Sequence, residues 1–257
     1  MTTTSKYVKG CHYPIEKFKK EKEFRQNMLI IHENLQEEAN DISEVCKKTI
    51  GIRSELRNEN LEKLFIPLPK VGGYYEGSAA ASPIIGKGNG IRAFLGIKDK
   101  HIIVVTLRDL YYEDSADCWI FGCTPDGVIT VSTSRLKRQD SFPSTVLSVP
   151  KQLYTKRLVS IAVHEIGHII VQNPRGHFQP AVWEEHSVRQ DFGYHCPDNS
   201  CVMYQVGEIR APLPEQGFMW VGSEKRYDAG LDDVIERRGE KWFCDKCQSS
   251  IHIEDDF

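Results

Sequence analysis

His164-Glu165-Ile166-Gly167-His168 is the stretch on which the fold of this chain turns. It sits inside a longer run in which Leu153, Leu158, Ile161, Ala162, Ile166 and Ile169 recur at helical steps. The pentapeptide is therefore predicted to lie on a long helix that opens after Pro150 and stops before Asn173-Pro174-Arg175-Gly176. On a helix, residues four apart share one face, about 6 Å from each other, so two imidazoles can grip one ion. Zinc takes neutral imidazole at about 2.0–2.1 Å, and a catalytic zinc keeps one position open for water. Zinc lowers the pKa of that water toward about 7. Glu165, next to the first histidine and not needed as a ligand, is placed to take the proton and pass it to a leaving amine. The expectation is peptide-bond hydrolysis, with His164 and His168 as metal ligands and Glu165 as general base.

Working outward, three segments upstream of this helix have strand character. His101–Leu107 is β-branched and almost continuously apolar, Asp117–Gly122 follows, and Gly127–Thr133 is entered through Pro125-Asp126-Gly127. Further back, Met28, Ile31, Leu35, Ala39, Ile42 and Cys46 recur at three- to four-residue steps, which predicts one amphipathic helix from Phe24 to about Ile50. Residues 15–27 read as a solvated helical face, Pro67 and Pro69 break regular structure, and residues 72–90 read as a loop. Gly86–Gly90 within it lacks the spacing of a phosphate-cradling motif. Downstream of the helix the expectation is a smaller, irregular part: a short helix over Ala181–Gln190, a cysteine-bearing turn region over Gly193–Tyr204, and a surface helix over Ser223–Arg238. The predicted organisation is an N-terminal α/β part, residues 1–172, and a C-terminal part, residues 173–257.

The chain has 257 residues and eight cysteines. Cys11, Cys46, Cys118 and Cys123 show no metal spacing and read as ordinary thiols. Cys196 and Cys201 form Cys-x4-Cys, and Cys244 and Cys247 form Cys-x-x-Cys. Two close pairs of thiolates suit a tetrahedral structural zinc. Such an ion would staple a C-terminal part that has few apolar residues for a core.

The ordered set His-Glu-x-x-His, His-Cys-x4-Cys-x-Met and Cys-x-x-Cys resembles the archaemetzincin family of zinc metalloproteases. The resemblance also takes in Leu107–Tyr111, Trp119–Gly122 and Gly127–Arg135, and runs over roughly residues 85 to 250. It implies an α+β, zincin-like (metzincin) fold of two subdomains, with a mixed sheet, a long active-site helix and a small zinc-stapled C-terminal subdomain. It also implies a catalytic zinc on three histidines, a second zinc on four cysteines, and a methionine in a tight turn under the catalytic metal. Carried over residue by residue, these are His164, His168 and His195; Cys196, Cys201, Cys244 and Cys247; and Met203. The chain departs from the pattern in two places. It has 26 residues between His168 and His195 and 40 between Met203 and Cys244, both much longer than the family's spacers. Val171 stands where the family has a glycine. His177 and His186 fall inside the first insertion and stand as alternatives for the third ligand. A gluzincin-type reading would take Glu184 or Glu185 instead.

Composition narrows the partners. Apolar residues make up 40%, charged residues 27%, and the net charge is −3, so no basic field calls for nucleic acid or an anionic membrane. No run of about 18 apolar residues is present. Met1–Lys20 lacks the apolar core of a secretory signal, and the expected compartment is the cytoplasm. The expected partner is a peptide or protein substrate. A chain that keeps two zinc ions but has lost catalysis is the competing reading, and a nucleic-acid-binding ribbon at the four cysteines is a weaker one. They separate on turnover: only the enzyme cleaves a peptide library.

Overall fold

The structure, a computed structural model, describes residues 6–9, 27–62, 65–67, 80–83, 97, 101–112, 115–124, 128–138, 148–171, 176–185, 188–210 and 217–251. The expectations for residues 15–26, 72–79, 84–90, 125–127 and 173–175, and for Cys11, Pro69 and His186, lie outside them.

The central sheet has five strands. In chain order they are β2 (Asn27–His32), β3 (Arg53–Asn58), β6 (His101–Thr106), β9 (Gly122–Cys123) and β10 (Val128–Ser132). Their spatial order is β3-β2-β6-β10-β9, parallel throughout except for the antiparallel edge strand β9. Residues Met28–Ile31, Ile102–Val105 and Val128–Val131 are all buried. Unbroken apolar runs of this kind are what strands covered on both faces require. This corrects the predicted helix over Phe24–Ile50. Its first half is β2, and α1 begins only at Gln36 and ends at Ile50. Met28 and Ile31 fit a three-residue step by accident, because every residue between them is also apolar. α1 buries Ala39, Ile42, Cys46 and Ile50 and ends in Gly51 at φ 73, the left-handed cap that glycine favours.

Helix α2 (Lys151–Ile170) follows the sheet and is buried over most of its second half. Its first turns lean on α1, where the Tyr154 hydroxyl donates to Glu38 Oε1 at 2.9 Å and Thr155 Oγ1 to Asp41 Oδ2 at 3.1 Å. Fully buried Arg157 donates to Asp232 at 2.6 and 2.7 Å and to the Leu136 carbonyl at 2.9 Å. That fork fastens α2 to the first turn of α3 (Leu231–Arg238). A second small sheet, β4 (Phe65–Pro67), β5 (Ala80–Pro83), β7 (Asp109–Tyr112) and β8 (Ser115–Ile120), runs in the order β4-β5-β7-β8. β5 therefore replaces part of the loop expected over residues 72–90. Arg135 and Asp109, both buried, pair at 2.8 and 2.9 Å and link this sheet to the end of β10.

The C-terminal part is more regular than expected. Ala181–Gln190 is not a helix: β11 (Gln179–Glu185) and β12 (Val188–His195) pair antiparallel. Residues 223–238 split into β14 (Glu224–Arg226) and α3. β13 (Phe218–Val221) pairs antiparallel with β11 and with β14, and β1 (Lys6–Lys9) pairs parallel with β12, so the third sheet runs β1-β12-β11-β13-β14. The two insertions thus supply four strands of one sheet, and β1 adds the fifth. Trp183 locks it, since a Cβ at Gly207 or at Gly217 would lie 2.6 Å from the indole. A short helix, α4 (Asp245–Gln248), closes the described chain. Among the described residues no helix is long and apolar enough to cross a membrane.

Candidate metal centre

α2 presents His164 and His168 on one face, with their Nε2 atoms 3.1 Å apart. The third imidazole comes from His195, the last residue of β12. Its ring centroid lies 5.2 Å from that of His164 and 4.9 Å from that of His168. The ligand atoms of all three lie within 4.8 Å of one another. His195 is delivered by the register of the inserted hairpin, where it faces Gln179.

The chain after β12 fixes the nearer rings. His164 Nδ1 donates to the Val202 carbonyl at 2.7 Å, which leaves Nε2 as the lone-pair nitrogen on the side of the other rings. Burial holds the His164 pKa down at about 4, so its ring is neutral, as ligation requires. Met203 is fully buried in the turn over residues 201–204, and its sulfur lies against Gly167. A Cβ at Gly167 would sit 2.1 Å from Met203 Sδ and 3.2 Å from its Cε. Gly167→Ala is therefore expected to cost about 1–3 kcal/mol by overpacking, read as a lower thermal midpoint, and to displace the turn that carries the His164 acceptor.

Glu165 is buried and stands outside the imidazole group. Thr124 Oγ1 donates to its Oε2 at 2.6 Å. On the other side, a Cβ at Gly122 would lie 3.0 Å from Glu165 Cγ and 3.1 Å from Oε1, so only glycine lets β9 pass this close. Burial pushes the Glu165 pKa up to about 8 against the pull of the Thr124 hydroxyl, and a neighbouring cation would lower it again. A cavity of about 30 Å³ opens here between Gly122, His164, Glu165, Phe192 and Gln205. That is space on the order of one or two waters.

The second cluster begins one residue beyond His195, where the chain leaves β12. His177, Cys196, Cys244 and Cys247 bring their ligand atoms within 4.8 Å of one another. Cys196 Sγ is 3.7 Å from Cys244 Sγ, and a tetrahedral zinc with bonds of about 2.3 Å sets its sulfurs about 3.8 Å apart. Cys201 belongs to the same knot, because its sulfur is in hydrogen-bond contact with the other three thiols and accepts the Cys244 N–H at 3.3 Å. Hydrogen bonds from Cys201 and Cys247 hold the Cys196 pKa down at about 6, whereas Cys247, hydrogen-bonded to Cys196 and Cys201, is pushed up. Cys46, Cys123, Cys196, Cys201, Cys244 and Cys247 form no disulfide. Cys46 is an ordinary buried thiol, raised to about 12 by burial.

Two alternatives for the third imidazole site sit elsewhere. His177 stands at the sulfur cluster. Glu184 accepts the Trp220 indole N–H at 3.0 Å and is in neither ligand group. Sequence reasoning missed Thr124, Gly122 and Phe192. No motif marks them, since each matters only because a strand end is folded against α2 or the cleft.

The zinc-dependent peptidase from Methanocorpusculum labreanum superposes with a TM-score of 0.52, at 16% identity, over 88% of this chain and 100% of that one. The chain shares that fold. It is α+β with a mixed central sheet, the long helix α2 and a cysteine cluster in its C-terminal part. Archaemetzincins from Methanopyrus kandleri (18% identity, TM-score 0.45, 88% of this chain and 94% of that chain) and Archaeoglobus fulgidus, complexed with malonate (20%, 0.43, 88% and 99%), also match. By sequence, no protein family and no curated protein matches the chain.

Proposed function

We propose that this chain is a zinc-dependent peptidase of the archaemetzincin kind, its cleft lying between residues 1–172 and 173–257. The observation that carries the reading is the convergence of three imidazoles, from two distant elements, beside a buried carboxylate that is not one of them. His164, His168 and His195 would hold the catalytic zinc, and Cys196, Cys201, Cys244 and Cys247 a structural one. The chemistry zinc supplies at the first site is an acidified water and a polarised carbonyl.

The chain's own residues do the rest. Glu165 takes the proton on its carboxylate and returns it to the departing amine nitrogen. Thr124 holds Oε2, leaving Oε1 on the side of Gly122. β9 is the edge of the central sheet, and an extended peptide adding to that edge would cross the front of Glu165. The gluzincin-type alternative is not favoured at Glu184, which accepts the Trp220 indole N–H. Free thiols in the sulfur cluster suit a reducing compartment, and we place the protein in the cytoplasm. Neither nucleic acid nor a membrane is a partner in this reading.

The test is cleavage of a mixed peptide library by the zinc-loaded chain, stopped by chelation and restored by zinc. Full zinc loading without cleavage would favour the inactive two-zinc reading. Thr124→Val sharpens the assignment of Glu165. A donor to a carboxylate favours its charged form, so losing the donor raises the Glu165 pKa. The acid limb of the kcat profile is then expected to move to higher pH by about one unit.

A further inference from the structure

The sulfur cluster holds one donor more than a tetrahedral ion takes. Four thiols already contact one another, and His177 is the fifth group, its Nε2 3.2 Å from Cys196 Sγ and 3.8 Å from Cys244 Sγ. Its place in the chain is informative. His177 precedes β11 by two residues and Cys196 follows β12 by one, while Gln179 and His195 pair between them. The two ends of the inserted hairpin therefore meet at the sulfurs.

Two roles are available to this imidazole. It could replace one thiolate on the metal, or it could donate a hydrogen bond to a thiolate that stays on the metal. Four thiols are enough for a tetrahedral shell without it: Cys201, although outside the compact group of His177, Cys196, Cys244 and Cys247, accepts the Cys244 N–H at 3.3 Å in the same knot. Nitrogen and sulfur ligands on one tetrahedral zinc lie about 3.6 Å apart. The 3.2 Å to Cys196 is shorter and suits N–H···S, while the 3.8 Å to Cys244 is close to the ligand spacing, so the shorter contact marks Cys196 as the acceptor. Four thiolates around a divalent ion also leave a net negative charge, here among buried Cys196, Cys201, Cys244 and Cys247. Such charge needs donors around it.

We propose that His177, through Nε2–H, donates to the Cys196 thiolate of a four-cysteine zinc site and so fastens the base of the inserted hairpin to that metal. The role rests on the zinc reading of the sulfur cluster. It gives the first insertion a physical anchor: both arms of the hairpin close at the metal, at the end of β12 that carries His195.

Cobalt(II) substitution of the full chain isolates this site, because sulfur-to-cobalt charge-transfer bands need thiolate ligands and the imidazole site has none. Wild type, His177→Ala, His177→Asn and Cys201→Ser are loaded with cobalt and competed with a chelator. His177→Ala should keep the wild-type band shape while holding cobalt about 10–100-fold more weakly, with faster amide exchange in β11 and β12. His177→Asn, which keeps an N–H donor, should recover much of the affinity, and Cys201→Ser should lose charge-transfer intensity. The proposal is overturned if His177→Ala holds cobalt as tightly as wild type. It is equally overturned if the band changes in His177→Ala and not in Cys201→Ser, which makes the imidazole a ligand. A wild type with no such band removes the zinc reading itself, a failure distinct from either of these.

Discussion

Glu165→Gln is expected to lower kcat for peptide hydrolysis by about 10²–10⁴-fold while zinc content stays at the wild-type level. The amide matches the carboxylate in shape and can still accept from Thr124 Oγ1, 2.6 Å from Oε2 in the native site. What it lacks is basicity. Because Glu165 is not in the imidazole group, the metal should remain. KM should change far less than kcat, since the lost interaction belongs to proton transfer. Rates on a cleavable library peptide, with metal analysis of the same sample, check both halves. Loss of zinc in this variant would make Glu165 a ligand and overturn its assignment as base.

The second large effect is expected at the sulfur cluster. Cys247→Ser should reduce the zinc content from two ions to one per chain and lower the thermal midpoint more than Gly167→Ala does. Structural zinc contributes on the order of 10 kcal/mol to the folding of small domains. Here it would join β12 to α4 and, through the Val202 N–H to the Trp242 carbonyl at 2.8 Å, hold the turn that carries Met203. The loss should therefore spread to the imidazole site as weaker zinc binding there. Thermal unfolding with and without chelator separates the causes: chelation should destabilise wild type strongly and Cys247→Ser much less. An unchanged midpoint in Cys247→Ser would show that the four thiols are not a staple.

The long helix and its two histidines were legible because helical spacing is local. His164 and His168 share a face whatever the rest of the chain does, and the apolar run beneath them marks the buried side. The strands at β6 and β10 were legible because their β-branched runs are local, whereas Asp117–Gly122, read as one strand, is divided between β8 and β9 in two different sheets. Segments whose structure depends on distant pairing were not legible. Ala181–Gln190 carries Val182, Trp183 and Glu184 with no clean alternation, and it becomes strand because β11 and β12 pair with each other and β13, more than thirty residues later, pairs with β11. Met28–Ile31 suits a helix or a buried strand equally well, and its burial between β3 and β6 decides.

The same division runs through the site. The resemblance carried His195 across by its place before Cys196, yet spacing alone left His177 level with it. What separates them is which end of the inserted hairpin each occupies, a matter of register between β11 and β12. Thr124 reaches Glu165 from a strand end forty-one residues earlier, a distance over which sequence pattern carries no signal.

Anomalous diffraction at the zinc edge, on crystals of the zinc-loaded chain, bears most directly on the assignment of a hydrolytic centre. The expected result is an ion bonded by the rings of His164, His168 and His195, with a solvent position open toward Glu165. No ion between those three rings, or an ion whose remaining position is filled by a protein side chain, would contradict it.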